Sequence, residues 1–536
     1  MFRPFRLLSS CAAFALAFSS LAQPSGGVAG DARLTRLKDE AIAAVDSSRK
    51  LTQEIVDSLF SFSELAFQEF ETQRYLTALL ERNGFTIERG VSGIPSSWWA
   101  TWGSGSPVIA LGSDVDGIPQ ASQRPGVAYR DPLVEGAPGH GEGHNSGQAV
   151  NIVAALAVKQ IMQRERLPGT LVIWPGVAEE LLAAKAWFVR DGRFDGVDAV
   201  LFTHVGSRFG TAWGRIDGTG LVSAEFTFEG TAAHSAVMPW RGRSALDAVE
   251  LMNIGWNFRR EHLSPTQRSH YVIVDGGDQP NVVPPTATVW YFIREIDAAG
   301  IRQNFATLQR IAEGAALMTD TTLRPRRIIG AAWPRHFNRP LALALQANIE
   351  AVGMPDWSEA DQTFARALQR MLGVEERGLA TEIVPAAEPS REPVSGGSDD
   401  IGDVSWVAPT GFLSYPSNVP GMTAHHWSSA MAMATPIAHQ GATAGAKVIA
   451  ATLLDLLLDR GLLANAERYF RDEQLGGAGY EPFISFEDAP PIEKNFDIMA
   501  EYSERLRPLY YDPTRFETYL EQLGVRYPQL ERPAGR

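Results

Sequence analysis

Pro107-Val108-Ile109-Ala110-Leu111-Gly112-Ser113-Asp114-Val115-Asp116 is the stretch from which the fold class follows. Its apolar half, 107–112, is short and bounded by turn residues, the mark of a strand buried on both faces. It ends in aspartates, and in open α/β sheets ligand and catalytic groups gather at the carboxyl ends of strands. Turns and helix caps use aspartate too, so the pair carries chemistry only if partners converge on it.

Outward from this run the pattern repeats. Residues 149–162 continue as an apolar helix, and Gly169-Thr-Leu-Val-Ile-Trp-Pro175 is the next strand, followed by adjacent carboxylates at Glu179 and Glu180. Adjacent side chains diverge, so one glutamate can hold a metal while its neighbour acts as general base. Solvated charges at a helix N-terminus are the alternative. Asp198-Ala-Val-Leu-Phe-Thr-His204 is the third run, closed by a histidine. Strand and helix signals alternating from Pro107 to His204 predict a mainly parallel sheet. Between the first run and the helix lies Gly139-His-Gly-Glu-Gly-His-Asn145, which sets imidazoles and a carboxylate among glycines. Glycine at alternate positions weakens a helix, so the stretch reads as a metal-binding loop with a helix starting near Asn145. Taken alone, a Gly-rich turn with surface histidines fits it as well.

From about residue 211 the texture changes. Residues 221–229 alternate as a strand with one exposed face would, 244–258 read as an amphipathic helix, 271–274 and 288–294 as strands, 299–318 as a helix and 322–329 as extended chain. That order is an antiparallel α+β unit inserted into an α/β domain, with Gly230-Thr-Ala-Ala-His234 and Pro280-Asn281-Val-Val-Pro284 at its turns. The first domain resumes with helices at 341–352 and 359–371, Ser398-Asp-Asp-Ile-Gly-Asp-Val-Ser-Trp406, a strand at 411–415, Gly421-Met-Thr-Ala-His425-His426-Trp427 and a helix at 436–458. Upstream, 37–62 and 71–83 read as helices, and the segment beyond 475 shows no chemistry of its own.

A length of 536 residues calls for at least two domains. The N-terminus reads as a signal peptide: Arg3 and Arg6, an apolar run at 7–18 too short to span a bilayer, and a small-x-small site ending at Ala22. The mature protein is therefore expected to be exported, periplasmic or secreted, with no membrane span. Cys11, the only cysteine, leaves with the leader, so no disulfide or thiolate metal site is expected in the mature chain. Loss of both arginines takes the formal charge from −14 to −16, which makes nucleic acid an unsuitable partner.

Taken together, Ser113 to Asp116, Gly139 to Asn145, Glu179-Glu180, Thr203-His204, Gly230 to His234, Pro280 to Pro284, Gly402 to Trp406 and Ala424-His425 resemble the metal-dependent amidohydrolases related to carboxypeptidase G and aminoacylase. Within these the chain is most similar to the B subunit of p-aminobenzoyl-glutamate hydrolase and to indole-acetyl-amino-acid hydrolases. The resemblance runs from about residue 51 to 458 and implies an α/β catalytic domain at 23–215 and 334–462. It also implies an inserted α+β dimerisation domain at 216–333, a C-terminal extension at 463–536 and a homodimer. It implies a pair of divalent ions, zinc or manganese, held by His144, Glu180, His204 and His425, although His426 can also reach, and Glu142 joins them as a candidate ligand by residue type. Glu179 would be the general base, Asp116 would hold a neighbouring ligand, His234 from the other subunit would stabilise the oxyanion, and Asn281 would contact substrate. His439 is expected to be structural. Close relatives carry a metal-ligating cysteine where this chain has Glu142; glutamate there can bridge ions, favour manganese or disable a site. The implied activity is hydrolysis of N-acyl or N-aroyl amino acids, with a dipeptidase, or a catalytically impaired exported binding protein, as the other readings.

Overall fold

The computed structural model describes residues 27–390, 394–477 and 479–532, and the expected signal peptide at 1–22 lies outside them. In the first domain the strands are β1 (Thr86–Arg89), β2 (Trp98–Ser104), β3 (Val108–Asp114), β4 (Gly169–Gly176) and β5 (Ala199–Gly206). The chain then builds a second sheet from β6 (Gly220–Glu229), β7 (Arg268–Asp275), β8 (Thr286–Glu295) and β9 (Arg327–Ala332), and returns with β10 (Thr410–Pro416). The first sheet has the order β1-β2-β4-β3-β5-β10; β4, β3, β5 and β10 run parallel, and the β1–β2 hairpin adds an antiparallel edge. The parallel strands are buried almost throughout, as their unbroken apolar runs require.

Helices Gly27–Ser47, Arg49–Phe62, Gly147–Glu165 and Pro436–Leu458 pack on one face of this sheet. Pro436–Leu458 is long and apolar enough to cross a membrane by length and composition, but 78% of its apolar window is buried inside the protein, where it forms the centre of the core. Residues 37–62, read above as one helix, are two. Ser47 and Ser48 bond back to the carbonyls of Ala43 and Ala44, at 3.0 and 2.9 Å, and the first helix stops there.

The second sheet is antiparallel. Two-residue strand Thr322–Leu323 and β9 flank β6 on one side, β8 on the other, and β7 is the edge. Helices Ala245–Arg260 and Ala298–Thr319, capped by Ser244 and Asp297, cover one face. β6 is not half exposed as its alternation suggested. Its polar positions are covered too: Trp290 donates to Ser223 at 2.8 Å, and the Lys494 ammonium from the C-terminal segment pairs with Glu225. That segment also ties into the first domain, where the hydroxyls of Tyr480 and Tyr527 donate to Asp403 and Asp361 at 2.5 and 2.8 Å.

Candidate metal and active site

The carboxyl ends of β3, β4 and β5 place ionisable groups side by side. Asp114 ends β3 and Asp116 follows it, while β4 runs into a turn at Glu179–Leu181. Ala178 and Leu182, on either side of that turn, take left-handed backbone at φ 53° and 54°. His204 lies within β5, which continues two residues past it to Gly206. The glycine-rich stretch is a loop, as expected, with its helix beginning at Gly147 after a turn at His144–Ser146. Gly143 has φ 122°, a backbone conformation that residues with a side chain rarely adopt, which suits glycine at this turn of the loop. His425 also adopts left-handed φ, at 53°. A non-glycine residue held in that region is strained, and such strain clusters at functional sites.

Five side chains converge. His144 Nε2 faces His204 Nε2 at 3.3 Å. Glu142 spans two rings, with Oε1 3.5 Å from His204 Nε2 and Oε2 2.9 Å from His425 Nε2. Glu180 lies 3.2 Å from His425 Nε2 through Oε2 and 3.9 Å from His144 Nδ1 through Oε1. The other ring nitrogens are already engaged: His204 Nδ1 bonds the Val205 carbonyl at 2.8 Å, and His144 Nδ1 bonds the Asp116 carbonyl at 3.2 Å with Asp116 Oδ1 3.5 Å away. Donating through Nδ1 leaves both Nε2 atoms as lone-pair donors pointing at each other, an arrangement typical of imidazoles that ligate an ion. Asp116 Oδ2 accepts the Glu180 amide at 3.0 Å and so orients that carboxylate too.

The electrostatics point the same way. Burial opposes charge on His144, yet Asp116, Glu142, Asp114 and Glu180 hold its ring well above the usual imidazole range, so the surroundings favour a cation. Burial pushes Glu180 up to about 8, against the pull of His144. Burial also raises Glu142, but the His425 bond and the charges of His144 and His204 outweigh it and hold that carboxyl well below its ordinary range. Glu180 Oε1 and Asp116 Oδ1 are buried without a hydrogen-bond partner. Donor atoms come within 4.8 Å of one another in the triplets Asp114, His144 and His204; Glu142, Glu180 and His425; and His144, Glu179 and Glu180, and with orphaned oxygens among them these fit a divalent ion.

Glu179 sits beside this group, 7% exposed, and burial together with Asp114 and Asp399 raises its carboxyl well above the ordinary range. His140, the other imidazole of the opening loop, is elsewhere. Its Nε2 bonds the Leu59 carbonyl at 3.0 Å, and burial pushes it down to about 3, keeping the ring neutral in the core. His426 turns away to cap the next turn through Ser428, and His439 pairs with Asp57 at 2.6 Å. His234 and Asn281 are exposed on the second domain and line no part of the site within one chain.

The sequence reading missed the surroundings of these groups. A cavity of 540 Å³ opens on Glu142, Glu179, Glu180, His204 and His425, and its lining also includes Arg294 of β8 and Arg335. Arg294 donates to Ser398 at 2.8 Å, while its Nε is buried without a partner. Lys185 is fully buried, bonded to Asp114 at 2.6 Å and to Asp400, with Asp399 at 3.8 Å. The Lys185 and Ser398-Asp-Asp400 positions were visible in sequence, but nothing local joins them.

The peptidase dimerisation domain family matches residues 216–317. Over 453 residues the chain is 35% identical to the B subunit of p-aminobenzoyl-glutamate hydrolase of Escherichia coli, covering 79% of this chain and 93% of that protein. It is 25% identical to the Xaa-Arg dipeptidase of Mus musculus, over 84% of this chain and 96% of that one. A solved aminobenzoyl-glutamate utilization protein from Klebsiella pneumoniae shares the fold at a TM-score of 0.50 and 18% identity, over 80% and 98% of the two chains. The extent and identity of the first match place this chain in the family of metal-dependent amidohydrolases that includes p-aminobenzoyl-glutamate hydrolase.

Proposed function

We propose that this hydrolase cleaves the amide bond of N-acyl or N-aroyl amino acids, with Glu142, His144, Glu180, His204 and His425 holding divalent metal and Glu179 acting as general base. The convergence of those donors beside Glu179, at a cavity whose lining also includes Arg294 and Arg335, carries the reading. The similarity to p-aminobenzoyl-glutamate hydrolase supports the substrate class. Bound divalent metal would polarise the carbonyl and acidify water. Glu179 takes the proton of the attacking water and delivers it to the leaving amine, while Asp116 keeps His144 and Glu180 in place. Glu142, reaching both His204 and His425, would help to hold such metal, and its hard oxygens would suit manganese as well as zinc.

The match to a dimerisation domain and the exposed apolar edge strand β7, with Val272 57% and Val274 51% exposed, support a homodimer. In such a dimer His234 and Asn281 would serve the other subunit's site. The signal-peptide-like pattern of residues 1–22, with basic Arg3 and Arg6 before an apolar run, supports export to the periplasm or beyond. A dipeptidase is the second reading, supported by similarity to the Xaa-Arg dipeptidase.

Product analysis with benzoyl-glutamate and a dipeptide tests the proposal: release of benzoate and glutamate supports it, and cleavage only where a free α-amino group is present selects the dipeptidase. Arg294, short of one partner, is placed to take the substrate carboxylate. Arg294→Met is expected to raise KM by about 10–100-fold, the weight of a hydrogen bond to a charged group, with kcat little changed. Steady-state kinetics on benzoyl-glutamate reads this, and an unchanged KM would remove Arg294 from the site.

A further inference from the structure

A second recess meets the catalytic cavity at Glu180 and His425. Its volume is 230 Å³ and its walls are apolar, formed by Leu65, Ala66, Ile118, Pro119 and Leu181, with Asn495 closing one side. Leu65 and Ala66 are each 1% exposed and Ile118 6%, so these walls belong to the packed first domain. Asn495 comes from the C-terminal segment, to which the sequence assigned no chemistry. It is anchored there: its amide donates to the Ala66 carbonyl at 3.1 Å, and its left-handed φ of 62° suits asparagine. Gln68 donates to the carbonyls of Ile492 and Lys494 at 3.1 and 2.9 Å, and Lys494 lies 4.5 Å over the Trp290 ring of β8. The segment beside the recess is thereby fixed to the first domain and to the second sheet.

We infer that this recess binds the acyl group and that the C-terminal segment, through Asn495, sets how large that group can be. The inference rests on the hydrolase reading and supplies its acyl half. Apart from His425, which already faces Glu142 and Glu180, the recess offers a carboxylate no cation to repay its lost hydration, whereas the catalytic cavity offers Arg294 and Arg335. The ends of the substrate therefore sort themselves, with the amino-acid carboxylate toward the arginines, the acyl group in the recess and the scissile amide at Glu180 and His425. An apolar cavity of about 150 Å³ holds benzene. A recess of 230 Å³ accordingly suits a benzoyl or a compact branched acyl group, and Asn495 stands where a long chain would continue.

The test compares kcat/KM for N-acetyl-, N-benzoyl- and N-lauroyl-glutamate in wild type, Ile118→Trp and Asn495→Gly, the last keeping the left-handed backbone while removing the side chain. Wild type should prefer benzoyl. Ile118→Trp should lose benzoyl about tenfold more than acetyl, and Asn495→Gly should raise lauroyl relative to benzoyl by about tenfold, the size of effect that a few methylenes produce in a fitted pocket. Calorimetry with benzoate on the same metal-loaded proteins reads the recess without turnover, and Ile118→Trp should weaken it. Equal losses on acetyl and benzoyl with benzoate binding unchanged, or a chain-length profile in Asn495→Gly identical to wild type, would overturn the inference. Wild type that cleaves none of these amides but binds benzoate in an Ile118-dependent way would overturn the reaction and leave the recess standing.

Discussion

Glu179→Gln is expected to lower kcat by about 10²–10⁴-fold, the contribution of a positioned general base. Glutamine matches the volume of glutamate and cannot take a proton, so the change isolates the proton transfer from the packing. The proposed ligands are Glu142, His144, Glu180, His204 and His425; Glu179, on the same turn as Glu180, also comes within donor range of His144 and Glu180 but is assigned the proton transfer instead. Metal content should therefore stay at the wild-type level while turnover falls. Elemental analysis and steady-state kinetics on the same preparation read both quantities. Near-normal kcat with full metal would give the base role to another group; loss of metal together with activity would make Glu179 a ligand.

Lys185→Met should produce the largest loss of stability. The ammonium is fully buried and sits among Asp114, Asp399 and Asp400, and Asp400 also accepts the backbone amides of Ala184 and Lys185 at 3.3 and 3.1 Å. Removing one member of a buried ion pair costs about 3–5 kcal/mol, because the partner charges are left without compensation. Here three carboxylates would face one another under the site. Chemical denaturation followed by tryptophan fluorescence reads the first domain, since Trp174 and Trp187 are both fully buried within it. Adding Asp400→Asn to Lys185→Met removes one of the stranded charges and should recover part of the loss. A single variant within about 0.5 kcal/mol of wild type, as for an ordinary surface change, would show that the cluster is not held by its cation.

The α/β core was legible because its parallel strands carry long apolar runs and end in polar residues, a contrast visible without any partner. The β1–β2 hairpin escaped notice: β1 has only four residues, Thr86–Arg89, mostly exposed, and offers no periodicity. Exposure on β6 was misjudged because its cover comes from Lys494, more than two hundred residues away, which no local pattern encodes. At the site, the donors sit at strand ends and on a glycine-rich loop, where residue type and position agree. His140 looked like a partner of His144 from spacing alone. The loop, being no helix, sends the two rings in different directions, one into the core and one into the cluster. Arg294 and Lys185 were invisible for a further reason. A lone arginine on a strand, or a lysine opening a helix, gains meaning only when another element brings an anion or a cavity to it.

Metal content of the purified mature protein, measured beside hydrolysis of an aroyl-glutamate with and without chelator, tests the central claim most directly. The account predicts bound divalent metal and cleavage that chelator abolishes and added metal restores. No bound metal, and no cleavage after manganese, zinc or cobalt is supplied, would contradict it and leave a protein that kept the fold of a hydrolase as a binding scaffold.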